Sequence, residues 1–242
     1  MSSEWDQHFS STKIDHGIMQ IWADYFVDSY QKYFGFSKND VVLDFGAGLG
    51  DVSFLIKDKV EKIYLYDKSE FFLDQLRERF GSFPHIRVVQ SLQDIKEPVS
   101  LIIINGVIHY MKENEVKQML VELKSLCDLE TRIIISDIVP PGYSKLVDAI
   151  SQLLTGLKKK FFKKLLSFMV TNILDDPKLS LKTSSFHLYD EEVLNQTLSG
   201  FGYSARKMEN NFSYSKYRYT LHCTLIGKNN YREGSAASGL NQ

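Results

Sequence analysis

The chain has 242 residues, 43% hydrophobic and 24% charged, which suits one globular domain with a sizeable core and excludes disorder. Twenty-nine Lys and Arg against 30 Asp and Glu leave a net charge of −1, so a strongly basic nucleic-acid footprint is absent. Two cysteines, Cys127 and Cys223, cannot build a disulfide framework or a cysteine-rich zinc site. No metal is expected, and reduced thiols point to a cytoplasmic protein.

The first residues, MSSEWDQHFSS, are polar and acidic, unlike a secretory signal, and no run is long enough to cross a bilayer. Residues 13–34 have helical periodicity. Ile18, Trp22, Tyr25, Phe26 and Tyr30 recur on one face, and Gly35 supplies a stop. His16 and Trp22 on this helix are candidates to line a lid, with simple packing the favoured role. Short apolar runs follow at Val41–Phe45, Ile63–Tyr66, Ile86–Val89, Leu101–Ile104 and Ile133–Ile135. Helical stretches separate most of them, at about 50–58, 68–80 and 112–127. Strands alternating with helices imply a parallel sheet covered on both faces, with Leu101–Ile104 central in it.

Residues 141–180 break the alternation after Pro140-Pro141-Gly142. Val147, Ile150, Leu154, Leu157, Phe161, Leu165 and Phe168 share one face of a long amphipathic stretch. Lys159, Lys160, Lys163 and Lys164 fall mostly opposite, and Lys158 nearer the apolar arc. A short helix at 190–199 and two late strands, about 203–209 and 217–227, complete the pattern. The domain reading is an N-terminal helical cap at 1–37, a main domain at 38–231 with a helical insertion at about 141–180, and a loose tail at 232–242.

The strongest motif is Asp44-Phe-Gly46-Ala-Gly48-Leu-Gly50-Asp51, a strand end, a glycine turn and a helix start. Glycines let the backbone approach a ligand, and the helix start offers N–H groups. A dinucleotide fingerprint G-x-G-x-x-G would need a third glycine at 51, where Asp51 stands. A Walker loop is excluded, because no Gly-Lys-Ser/Thr follows. Asp44 and Asp51 would repel a pyrophosphate but suit an ammonium and a sulfonium. Asp67 closes the second strand, where a carboxylate can accept from both ribose hydroxyls.

Together these residues resemble a class I S-adenosylmethionine-dependent methyltransferase of the Rossmann-like, small-molecule type, over about residues 38–228. The resemblance implies a seven-stranded, mostly parallel α/β sheet with an antiparallel C-terminal hairpin and helices on both faces. It implies S-adenosylmethionine as cofactor, held by Asp44, Gly46, Ala47, Gly48, Asp67 and Lys68. Relatives often place an acid after the third strand to meet adenine. Here the matching place is Leu92, so Ser91 and Leu92 are assigned to adenine by backbone and packing, with Gln93 as the substitute. Asn105-Gly106-Val-Ile-His109 resembles the turn bordering the methionyl part in small-molecule enzymes. The Asn/Asp-Pro-Pro-aromatic tetrapeptide that holds a flipped base is missing.

Candidate bases are His109, Asp137 and His187, a base mattering when the acceptor is a hydroxyl. The expected activity is direct in-line methyl transfer to a small-molecule or biosynthetic acceptor, with oxygen favoured, and nucleic acid is not an expected partner. The alternatives are an RNA or protein methyltransferase and a non-catalytic cofactor-binding partner. The lysine-rich stretch admits three roles: a solvated face, a cap that draws in an acidic acceptor, and adsorption to an anionic membrane. A lid or dimer element is favoured, in a monomer or homodimer.

Overall fold

The computed structural model describes residues 16–158, 166 and 186–227. Five short strands, β1 (Val41–Phe45), β2 (Lys62–Tyr66), β3 (Ile86–Val89), β4 (Leu101–Asn105) and β5 (Arg132–Ile138), are joined through helices except between β3 and β4, where the link holds only a short turn at Leu92–Asp94. Those helices are α2 (Asp51–Ile56), α3 (Glu70–Phe80) and α4 (Glu113–Lys124), and α1 (His16–Tyr33) precedes them. After β5 come α5 (Lys145–Lys158), α6 (Glu191–Gly200), β6 (Tyr203–Lys207) and β7 (Tyr219–Leu225). The sheet order is β3-β2-β1-β4-β5-β7-β6. The first five strands pair in parallel, and β7 runs antiparallel to both β5 and β6.

Side-chain alternation explains why the central strands read as continuous apolar runs. Leu43, Phe45, Ile102, Ile104, Ile133 and Ile135 enter one core with α4 and α6. Val42, Leu101, Ile103 and Ile134 enter the other, beneath α1, α2 and α3. Chain order turns back between β1 and β4, and the crevice past their carboxyl ends is where an open α/β sheet takes its ligand.

Three departures from the sequence reading position the site. First, β5 continues three residues beyond its apolar run, through Ser136 and Asp137, and its pairing with β7 is irregular between Ile135 and Ile138. Asp137 has φ +63 there, the one non-glycine residue with positive φ among those described. Second, the late strands are shorter than read, and the residues between them form a loop whose Met208 and Phe212 enter the core beneath α1. Third, α5 is inverted relative to its hydrophobic pattern. Ile150, Leu154 and Leu157 are about half exposed, whereas Asp148 and Ser151 are buried. The buried side grips the β6–β7 loop: Ser151 Oγ accepts from Lys216 N at 3.1 Å, and Thr155 Oγ1 donates to Tyr214 O at 3.2 Å. A loop main chain needs polar partners, so the polar face turns inward. Lys159, Lys160, Lys163, Lys164 and the tail 232–242 lie outside the described residues. No described helix is long and apolar enough to cross a membrane.

Candidate active site

The turn after β1 is fixed by the end of β2. Gly46 N and Ala47 N both donate to Tyr66 O, at 2.7 and 3.0 Å. Gly48 N donates to Asp67 Oδ2 at 2.9 Å, and Ser69 N to Oδ1 at 3.0 Å. At Gly46, φ is +72, and a Cβ would stand 2.6 Å from Val107 Cγ2. A side chain there would both strain the backbone and collide with the turn after β4.

These elements open into one cleft of about 590 Å³. Gly46, Ala47, Gly48, Asp67, Lys68, Asn105 and Gly106 line one part of it, and His109 and Asp137 line it as well. Met19 and Trp22 of α1, Tyr110, Phe186, and Phe212, Ser213, Tyr214, Ser215 and Arg218 around the β6–β7 loop complete the wall. Trp22 therefore faces the cleft, while the side chain of His16 lies outside the described residues.

Four assigned residues stand off the wall. Asp44 is buried beneath the turn, where Ser53 Oγ donates to its Oδ2 at 2.6 Å. Burial, opposed by the Ser53 hydrogen bond and aided by Asp67 and Asp51, pushes its pKa up to about 6. Ser91 and Leu92 close a short capped turn, Leu92–Asp94. Ser91 N donates to Asp94 Oδ2 at 3.1 Å, and Leu92 is buried in the core. His187 meets the site through its main chain, its N–H donating to His109 O at 2.8 Å. Its neighbour Phe186 supplies the side chain in the wall.

The charge balance differs from the sequence reading. Asp51 is paired with Arg79 at 2.7 Å and so is not an uncommitted anion. Lys68 Nζ reaches Glu115 at 2.9 Å on the rim. Asn105 Oδ1 accepts from Ser136 Oγ at 2.7 Å, which orients its amide.

At the far end, the His109 ring lies between Tyr110 (centroids 4.2 Å) and Phe186 (4.7 Å), nearly fully buried. Burial lowers its pKa to about 4, outweighing the attraction of Asp137, so the imidazole is neutral at physiological pH. Its Nδ1 has no hydrogen-bond partner among the described residues. Burial works against the Asp137 charge, but Arg218 and His109, with hydrogen bonds from Ser213 and Arg218, hold its pKa below the ordinary value. Arg218 Nη1 stands 2.5 Å from Asp137 Oδ2, and Nη2 stands 2.9 Å from Asp148 Oδ2. A carboxylate held so firmly by a guanidinium is a poor proton acceptor.

Sequence reasoning missed Arg218, Tyr143, Asp148 and Ser213. The one local signal is Asp148, an acid on a helix rich in apolar residues and only 2% exposed. The others are brought in by the fold.

A family profile described as "Methyltransferase domain" matches residues 42–128. Magnesium protoporphyrin IX methyltransferase from Synechocystis PCC 6803, with bound S-adenosylhomocysteine, superposes with a TM-score of 0.56 at 17% identity, covering 91% of this chain and 92% of that one. A methyltransferase from Aquifex aeolicus gives 0.56 at 19% identity over 88% and 94%. A riboflavin-derivative dimethyltransferase from Streptomyces davawensis gives 0.56 at 14% identity, over 84% of this chain and 55% of that one. Comparison with curated proteins finds no significantly similar sequence.

Proposed function

We propose that the chain is a class I S-adenosylmethionine-dependent methyltransferase that methylates a small molecule or biosynthetic intermediate, with oxygen as the acceptor atom. The observation that carries this reading is the continuity of one walled cleft. A glycine turn tied to Asp67 stands in the same cavity as a neutral, aromatic-flanked His109. At about 590 Å³ the cavity has the size of small-ligand sites, and α1 and the β6–β7 loop wall it in. The names of the similar structures support a small-molecule acceptor, since they speak of a protoporphyrin and a riboflavin derivative, the latter methylated on nitrogen.

The residues present fit the cofactor. Gly46, with its positive φ and Val107 packed against it, keeps the turn bare of side chain, and the Asp67 carboxylate stands in the cleft wall at the end of β2, where ribose hydroxyls would need an acceptor. Gly46, Ala47, Gly48, Asn105 and Gly106 would hold the methionyl part, and Asp67 and Lys68 the ribose side. Asp44 would support the turn from beneath, and the capped turn of Ser91 and Leu92, off the cleft wall, would act on the adenine end only from behind it. When bound, S-adenosylmethionine supplies an activated methyl group. The chain's part is to align the acceptor, exclude water and receive a proton.

Of the three candidate bases, His109 has a partnerless ring nitrogen, and Asp137 is neutralised by Arg218. With a pKa of about 4, the imidazole suits an acidic hydroxyl, phenolic or enolic, better than an aliphatic one. His187 serves by docking its main chain on His109.

The test is to incubate the protein with methyl-labelled S-adenosylmethionine and, separately, a metabolite extract, total RNA and a protein extract. Label is expected in the small-molecule fraction, and label in RNA or protein alone would overturn the reading. With the acceptor in hand, His109→Gln is expected to cut turnover by about 10²–10⁴-fold while the cofactor still binds.

A further inference from the structure

The face that α5 turns outward is apolar. Val147, Ile150, Leu154 and Leu157 are between 37% and 55% exposed. The opposite face is pinned. Asp148 Oδ2 accepts from Tyr143, Gln152 and Arg218 at 2.7, 3.1 and 2.9 Å. Ser151 and Thr155 hold the main chain of the β6–β7 loop. Rolling the stripe inward would break all of these bonds and strand buried polar groups, so its exposure is built into the fold. An apolar stripe held open in this way marks an interaction surface.

Charge identifies what covers it. The chain leaves α5 as Lys158-Lys-Lys-Phe-Phe-Lys-Lys164, and no acid stands between Ala149 and Leu174. Without those five lysines the chain holds 24 basic against 30 acidic residues, so positive charge is concentrated beside the stripe in a chain otherwise anionic. The described leucines on either side of the run, Leu157 and Leu166, are 55% and 40% exposed.

We propose that the outward face of α5 docks on an anionic lipid bilayer. The helix lies along the interface. Its aliphatic stripe enters the boundary between headgroups and acyl chains, and the neighbouring lysines meet lipid phosphates and carboxylates. With 14 residues α5 is about 21 Å long, too short to cross the hydrocarbon core. A second copy of the chain fits less well. It would offer the same acid-free stripe and leave the lysines without a counter-charge. Four half-exposed aliphatic side chains also fall short of the roughly 800 Å² per partner that a stable dimer buries. Gln152 of the same helix lines the cleft, so docking places the cleft beside the bilayer surface.

The experiment is flotation of the full chain with vesicles of phosphatidylcholine alone and with about one-third phosphatidylserine. The chain should bind the mixed vesicles at least about tenfold more tightly, and salt should weaken that preference. Leu154→Glu removes an apolar contact, and the double variant Lys159→Gln, Lys160→Gln removes two charges. Each should weaken binding to the mixed vesicles by about tenfold or more. Without vesicles, Leu154→Glu should melt as the unaltered chain does. Equal binding to both vesicle types, or binding undiminished in both variants, would overturn the proposal. A lower melting temperature of Leu154→Glu without lipid would overturn it by showing that the chain covers its own stripe. A dimer in sedimentation that Leu154→Glu dissolves would overturn it in favour of a second copy.

Discussion

At the residue scale, Asp44 shows how an acid can support a turn of the cleft wall from beneath without facing the cleft. It is 4% exposed at the carboxyl end of β1, and its one side-chain donor is Ser53 at 2.6 Å. Its carboxyl therefore titrates near 6 in the folded chain against 3.8 when exposed. The consequence for stability has a definite sign. Between those values the unfolded chain has lost the proton and the folded one keeps it, so unfolding releases it and stability falls as pH rises. The contribution is full below 3.8 and is lost as pH rises through about 6, a swing of about 3 kcal/mol for a shift of this size. Asp44→Asn retains an acceptor for Ser53 and cannot ionise. Urea melts at several pH values should show the fall between about 4 and 6 flattened in the variant by about one proton. An identical pH slope in both proteins would show that Asp44 is already ionised in the fold.

At the element scale, α5 makes the opposite choice from the one its sequence advertises. Val147, Ile150, Leu154 and Leu157 form a clear helical stripe, and such a stripe ordinarily faces a core. Here the stripe is turned to solvent, and Asp148, Ser151 and Thr155 face the β6–β7 loop. Periodicity reveals that a helix is amphipathic but not which surface it meets, and this helix meets a loop main chain and an arginine. Exposed positions contribute little to stability. Leu154→Glu is therefore expected to change unfolding free energy by less than about 0.5 kcal/mol. Asp148→Ala strips Arg218 of one partner and should cost about 3 kcal/mol or more, as breaking a buried pair does. Denaturant melts of the two variants check the order; a larger loss from Leu154→Glu would mean the stripe is covered. The parallel core, by contrast, was legible from the strands alone, because their continuous apolar runs follow from burial on both faces. The β5 extension was not, since Ser136 and Asp137 interrupt the apolar run exactly where the strand leaves the core for the site.

On the scale of the whole molecule, the site divides by the range of the interactions that build it. The glycine-turn end of the cleft was readable in the sequence because its constraints are local: a turn with positive φ at Gly46, Gly48 and Gly50, and an acid at the end of the next strand. The opposite end was not, because Arg218 meets Asp137 across 81 positions and α1 reaches the cleft only by folding over the sheet. The same division predicts how ligand binding spreads through the molecule. On the proposed function S-adenosylhomocysteine should bind the folded state, and at a hundredfold excess over Kd it should stabilise the chain by about 2.7 kcal/mol. Local protection should nonetheless concentrate on the turns after β1, β2 and β4, near 46–50, 67–69 and 105–110, where main-chain N–H groups border the cleft. The β6 edge, far along the sheet order from β1, should gain only the global increment. Hydrogen exchange followed by mass spectrometry, with and without the ligand, reads both. Asp67→Ala is the control: it removes the acceptor for Gly48 N–H and Ser69 N–H, so the affinity should drop by about 10–100-fold and the local protection should vanish at the same ligand concentration. Protection centred on β6 and β7, or undiminished in Asp67→Ala, would place the nucleoside elsewhere on the molecule.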